Sequence, residues 1–245
     1  MHEGEWAEKL TAGIRGRHMW RLRHKTAIAT AFDLIAVGKQ MSGTLPDERT
    51  VDDTYAVGCL LQMAGELLLA SAGLLSNGQQ YAGAALLRQI TEIEYLTWAI
   101  KEKHRSATDW LKSTPAQRRK EFGPAQLRRT SKGRFLDKDY QDHCEQGGHP
   151  TIRGIPLLGG KNKGIGQVFL VDLLTHSWRT WDQVAEWAQA FPQASKAVQV
   201  RHNKISWRLH DWGKQDPIYK LMVERYPARQ RERQDIATEG QIPGL

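Results

Sequence analysis

The chain has 245 residues, 40% hydrophobic and 25% charged, with a formal net charge of +8. That is enough chain for one large domain or two small ones with a substantial core. Two cysteines, Cys59 and Cys144, exclude a disulfide-stapled secreted scaffold and a four-cysteine zinc site.

The acidic start, Met1-His2-Glu3-Gly4-Glu5, lacks the apolar run of a secretory signal, so a cytoplasmic protein is expected. Residues 5–41 read as a helix, with Trp6, Leu10, Ile14, Ala27, Ala31, Leu34 and Ile35 at helical spacing. Ser42-Gly43-Thr44-Leu45-Pro46-Asp47 breaks it. An apolar run from Thr54 to Leu75 then meets the stop signal Ser76-Asn77-Gly78. Tyr81, Ala85, Arg88, Glu92, Tyr95 and Trp98 resume the helical period, so 51–103 reads as a helical hairpin. Its first arm is long enough to span a bilayer. Gln62 and Glu66 near its middle favour a buried core helix, and no membrane partner is expected. Small residues at 58, 65 and 72–73 are expected to face Ala82-Gly83-Ala84-Ala85 on the second arm.

Short helices fit 105–112, 115–121 and 124–131. Residues 146–166 hold seven glycines and two prolines and read as the longest loop. Helices resume at 166–189 and 193–212, and Asp216-Pro217 opens a short one to Tyr226. Residues 227–245 read as a charged, loosely ordered tail. The expected fold is all-α: one multi-helix bundle over 1–226, built around the hairpin.

The charge is uneven. Residues 1–100 carry net −2, 101–138 net +8 and 139–245 net +2. A clustered excess points to a polyanion, with Arg118, Arg119, Lys120, Arg128, Arg129, Lys132 and Arg134 as the expected nucleic-acid contacts. The competing reading is a solvated face.

Two constellations are candidates for chemistry. If the hairpin turns at Asn77, Glu66 and Arg88 lie 11 residues to either side, and Glu92 follows Arg88 by one turn. Glu66, Arg88 and Glu92 are expected to meet, either as a structural ion pair that fixes register or as a positioned arginine in a site. The second constellation is Tyr140-Gln141-Asp142-His143-Cys144-Glu145-Gln146-Gly147-Gly148-His149-Pro150. Gly147-Gly148 is expected to reverse the chain and bring His149 over His143. Its readings are an acid–base pair, a capped helix end, or metal ligation by His143, Cys144 and His149. The spacing fits no strong zinc pattern, so no metal or other cofactor is expected. Gly159 to Gly166 resembles a phosphate-cradling loop but lacks a Gly-Lys-Ser/Thr ending. Trp178, Trp181, Trp187, Trp207 and Trp212 read first as packing, and Cys59 as buried.

The stretch Ala85–Trp98, with its Arg-x-x-x-Glu, and His143-Cys144-Glu145-Gln146-Gly147-Gly148-His149-Pro150 resemble motifs of a broad bacterial group of all-helical proteins. That group is similar to HEPN-type bundles, many of which are toxin or defence ribonucleases. The likeness covers about residues 50–190. HEPN ribonucleases carry Arg and His separated by four to six residues on one helix. Here only Arg17 and His24 have that spacing, and they lie on the first helix. The resemblance therefore implies a metal-independent ribonuclease site that is either absent or rebuilt from Arg88, His143 and His149, and Glu92, one turn from Arg88, completes the expected catalytic set. The alternatives are a non-catalytic protein-interaction module and a small-molecule or metal enzyme using His143–His149. A homodimer or a protein partner fits any of the three.

Overall fold

The computed structural model describes residues 3–43, 52–160 and 163–224. The described residues form ten α-helices and no strand, an all-α bundle as expected. The long helices are α1 (Glu3–Ser42), α2 (Asp53–Ser76), α3 (Gln80–Lys101), α8 (Lys163–Ala188) and α9 (Pro192–Gln215). The short ones are α4 (Ala107–Lys112), α5 (Pro115–Glu121), α6 (Pro124–Thr130), α7 (Asp137–His143) and α10 (217–224). The expected tail lies outside the described residues.

Local chemistry sets the boundaries. Asp52 caps α2 by accepting from the Tyr55 amide at 2.9 Å. Gly78, at φ +76°, takes the left-handed conformation that closes the hairpin after Asn77. Thr114 and Gln117 form a capping box on α5, and Pro115 and Pro124 stand in the first turns of α5 and α6. Asp53 accepts from the Thr108 amide at 2.6 Å, which ties the start of α4 to the start of α2.

One core joins the long helices, with Leu34, Leu60, Leu61, Leu68, Leu87, Ile90, Leu170, Leu173, Trp181 and Trp212 fully enclosed. Helix α2 is the described helix long and apolar enough to cross a membrane. Twelve of its residues are buried inside the bundle. Gly58 and Gly65 face α1, not the second hairpin arm as the sequence suggested. A Cβ on Gly58 would stand 2.8 Å from the Gly38 carbonyl oxygen, and one on Gly65 would stand 2.7 Å from that of Ala31. Gly73 faces open space. Trp181, Trp187 and Trp212 are buried as expected, but Trp207 is 69% exposed and Cys59 is only partly covered.

The glycine-rich segment is not an open loop where it is described. Cys144–Gly148 forms a π turn and Ile152–Gly160 winds as 3-10 helix with a kink at Leu158 and Gly159. The last described helix is pinned from beneath. Asp216, fully buried, accepts from Arg23 Nε at 2.5 Å and Nη2 at 2.8 Å, and from Trp212 Nε1 at 2.9 Å. It also accepts from the Ile218 amide at 2.9 Å, which caps α10.

Candidate functional site

Helix α3 carries the chemistry on two adjoining faces. The π turn lies directly on its backbone, closed by the His149 amide donating to the Cys144 carbonyl at 2.9 Å. A Cβ on Gly147 would stand 2.7 Å from the Ala85 nitrogen, and one on Gly148 would stand 2.9 Å from Arg88 Cδ. Neither glycine has a positive φ. They serve close approach to α3, not a left-handed reversal.

This seating brings exposed His149 to Arg88, with Nε2 and Nη1 3.1 Å apart. A guanidinium only donates, so His149 Nε2 accepts and its proton sits on Nδ1. Arg88 Nε donates to Glu92 Oε1 at 2.9 Å and to the Tyr140 hydroxyl at 3.1 Å. Tyr140 in turn donates to Glu92 Oε1 at 2.7 Å. Burial pulls the Arg88 pKa down, but Glu92 and Tyr140 outweigh it and leave it raised. Burial and the Glu92 carboxylate push the Tyr140 phenol well above its ordinary range. Arg128 stacks on the Tyr140 ring at 4.1 Å and pairs with Asp137 at 2.7 Å.

Of the expected trio, the Arg88–Glu92 pair is present and Glu66 stands apart. Glu66 is exposed and makes no ion pair with Arg88. It lines a groove of about 790 Å³ that Glu92 also lines, walled by Arg118, Arg119 and Trp110 and floored by Leu60, Leu67 and Ile93. Equal distance from the turn put Glu66 and Arg88 at one level, but their rotations about the two helix axes differ.

His143 and His149 do not form a pair. They enter two different networks. His143, 7% exposed, turns Nε2 to Asp172 Oδ2 at 2.9 Å and Nδ1 to Thr91 Oγ1 at 3.4 Å. Asp172 also faces His176 Nε2 at 3.4 Å, one turn along α8. His176 Nδ1 bonds buried Glu94, whose other oxygen lies 3.7 Å from Arg179. The two imidazoles meet edge to face with centroids 5.3 Å apart. Burial alone would hold the His176 pKa down, but Glu94 and Asp172 raise it to about 9. Burial likewise opposes the Asp172 charge, and His143 and His176 still hold its carboxyl far below the carboxylate range. The network opens on a cavity of about 400 Å³, lined also by Asp139, Asp142, Thr175 and, on α10, Ile218, Leu221 and Met222.

The basic stretch is mostly surface. Arg118, Arg119, Lys120, Arg129, Lys132 and Arg134 are exposed, and α5 buries no residue. Arg118 is tied to the Ser113 carbonyl at 2.7 Å and Arg129 to the Ala125 carbonyl at 3.3 Å. Arg128 is committed to Tyr140 and Asp137, so its role is packing as much as display. Two of the four acids in 101–138 are also taken, Glu102 by Lys101 and Asp137 by Arg128.

Sequence reasoning missed Thr91, Glu94, Asp172, His176 and Arg179 as site residues, and gave Tyr140, at the head of the second constellation, no role of its own. One signal was present: Asp172 and His176 stand four apart in the mainly apolar stretch 168–176 of α8, where two unshared polar groups would be costly. No family model, curated protein or solved structure matches the chain.

Proposed function

We propose that this chain is an RNA-directed helical bundle of HEPN-like character, taking single-stranded RNA along the α4–α6 face. The observation that carries the reading is the exposure of the basic stretch. Arg119, Lys120 and Lys132 are turned to solvent, and their side chains make no hydrogen bond or ion pair among the described residues. A surface of this kind tracks phosphates and releases counterions on binding. The adjoining groove supports single strands in particular. Trp110 and the Arg118 and Arg119 guanidiniums offer planar groups for unstacked bases. Glu92 belongs both to that groove and to the Arg88 cluster, so a bound strand would pass the cluster.

If the bundle also cleaves, the chemistry belongs at His149 and Arg88. His149 is the exposed imidazole, with Nε2 free to take a 2′-hydroxyl proton once Arg88 turns to the phosphate. The 2′ oxygen would attack phosphorus to form the 2′,3′-cyclic phosphate, and the 5′ oxygen would leave with a proton from water. His143, held by Asp172 and Thr91, takes no part in this step.

The test is anisotropy of labelled single-stranded RNA and matched DNA at several salt concentrations, followed by a denaturing gel. The reading expects RNA binding that weakens steeply with salt. Cleaved RNA that disappears in His149→Ala would extend it to catalysis. Absence of binding at low salt would overturn it and favour a protein-docking bundle.

A further inference from the structure

Three side chains able to ligate a metal, from two elements, converge on the cavity between α7, α8 and α10. They are His143 through Nε2, Asp172, and His176 through Nε2, and their ligating atoms all lie within 4.8 Å of one another. An ion bound there would displace the ring protons that now face Asp172. We propose that His143, Asp172 and His176 form a binding site for one divalent first-row transition-metal ion of the zinc or iron class. The inference is independent of the RNA reading.

The spacing fits such an ion. Ligands at about 2.1 Å from one metal stand about 3.0 Å apart at octahedral angles and about 3.4 Å apart at tetrahedral ones. The Asp172 oxygens lie 2.9 Å from His143 Nε2 and 3.4 Å from His176 Nε2. The three ligating atoms lie within 4.8 Å of one another, so the two imidazoles would close toward each other on the ion.

The outer partners orient both rings. Glu94, 1% exposed, accepts a hydrogen bond from His176 Nδ1. Thr91 gives its own proton to the Leu87 carbonyl at 3.0 Å, so its oxygen is left to accept from His143 Nδ1. Each ring is thus fixed through Nδ1 and directs Nε2 toward the same carboxylate. A hydrogen-bond acceptor behind each ligating imidazole, most often a carboxylate, carbonyl or water, supports a metal site, and here Glu94 and the Thr91 hydroxyl take that place.

The donor set, two imidazoles and one carboxylate, suits zinc, iron or manganese and is a poor cage for magnesium or calcium. Three protein ligands leave positions open to the cavity, the arrangement of catalytic rather than closed structural sites. Arg179 and Thr175 line the same space and would meet an anionic or hydrogen-bonding ligand held on the ion. Cys144 and His149, the other metal ligands the sequence suggests, are not part of this set.

The test uses the full chain stripped with chelator and titrated with Co²⁺, read by visible absorption, and with Zn²⁺ in competition with a chromophoric chelator. The expected result is one ion per chain and a cobalt d–d band. Both are lost in His143→Gln and in Asp172→Asn, with helical content and melting temperature checked by circular dichroism. Thr91→Val keeps the ligands and removes only an outer partner. It serves if the other variants fail to fold, and it is expected to weaken Zn²⁺ binding by about 10-fold or more. Mg²⁺ is expected not to compete. Less than a tenth of an equivalent of Zn²⁺ or Co²⁺ bound to wild type would overturn the proposal. So would an unchanged cobalt band in a folded ligand variant, or an unchanged Zn²⁺ affinity in Thr91→Val.

Discussion

Asp216→Ala should remove much of the stability of this bundle. The carboxylate is fully buried and receives Arg23, Trp212 and two α10 amides. Its loss strands the Arg23 guanidinium, 1% exposed, with Gln167 as its remaining described partner. Breaking one side of a buried pair costs about 3–5 kcal/mol. Loss of the α10 cap adds about 1 kcal/mol. The sum, about 4–6 kcal/mol, is a large share of the roughly 5–15 kcal/mol expected for a domain. At about 2–4 °C per kcal/mol for a chain of this size, the melting temperature should fall by roughly 10–20 °C. Urea unfolding followed by tryptophan fluorescence gives the free energy directly. In the double variant Arg23→Met, Asp216→Leu no charge is stranded, so it should recover at least about 2 kcal/mol of the single-variant loss. A loss below about 1 kcal/mol in Asp216→Ala, or no recovery in the double variant, would refute the argument. The pair matters beyond stability because α10 forms one wall of the cavity over His143, Asp172 and His176.

The same group sets an acid limit. Burial raises the Asp216 pKa but Arg23 outweighs it, so the folded value lies below the unfolded one, about 3.9. The stability it contributes is full above the unfolded pKa and is lost as pH falls through the folded one. Asp216→Asn should flatten that part of an unfolding-versus-pH curve; an unchanged acid slope would contradict the assignment. Gly58→Ala, with its Cβ 2.8 Å from the Gly38 carbonyl oxygen, should cost about 1–3 kcal/mol in chemical denaturation. Gly73→Ala faces open space and should stabilise α2 by up to about 1 kcal/mol. Equal effects at the two glycines would show that α1 and α2 do not pack as described. Arg88→Met with Glu92→Gln should stay within about 1 kcal/mol of wild type, since neither side chain is fully buried. A larger loss would mean the cluster holds the π turn on α3.

Local signals carried most of the fold. Asn77-Gly78, Pro115, Pro124 and Asp216-Pro217 mark real boundaries because each restricts φ or caps a helix end by itself. Arg88 and Glu92 were legible as a pair because one helical turn joins them. What the sequence did not reveal depends on how distant helices rotate against each other. Gly58 and Gly65 turned out to face α1, and Glu66 turned away from Arg88, because hairpin register fixes level but not rotation. The Asp172 and His176 contacts with His143 and Glu94 span 29 to 82 residues, and no local periodicity encodes them. The glycines at 147 and 148 signalled a special backbone, but not whether it served a reversal or a close approach.

The most direct measurement of the central claim is the salt dependence of single-stranded RNA affinity for wild type and for Arg119→Gln, Lys120→Gln, Lys132→Gln combined. Each phosphate contact contributes about 0.7 to the slope of log affinity against log salt on single strands. The account predicts a steep wild-type slope that falls by roughly 2 in the triple variant, with the fold unchanged by circular dichroism. Wild-type binding with a shallow slope, or a slope the three substitutions leave unchanged, would contradict it.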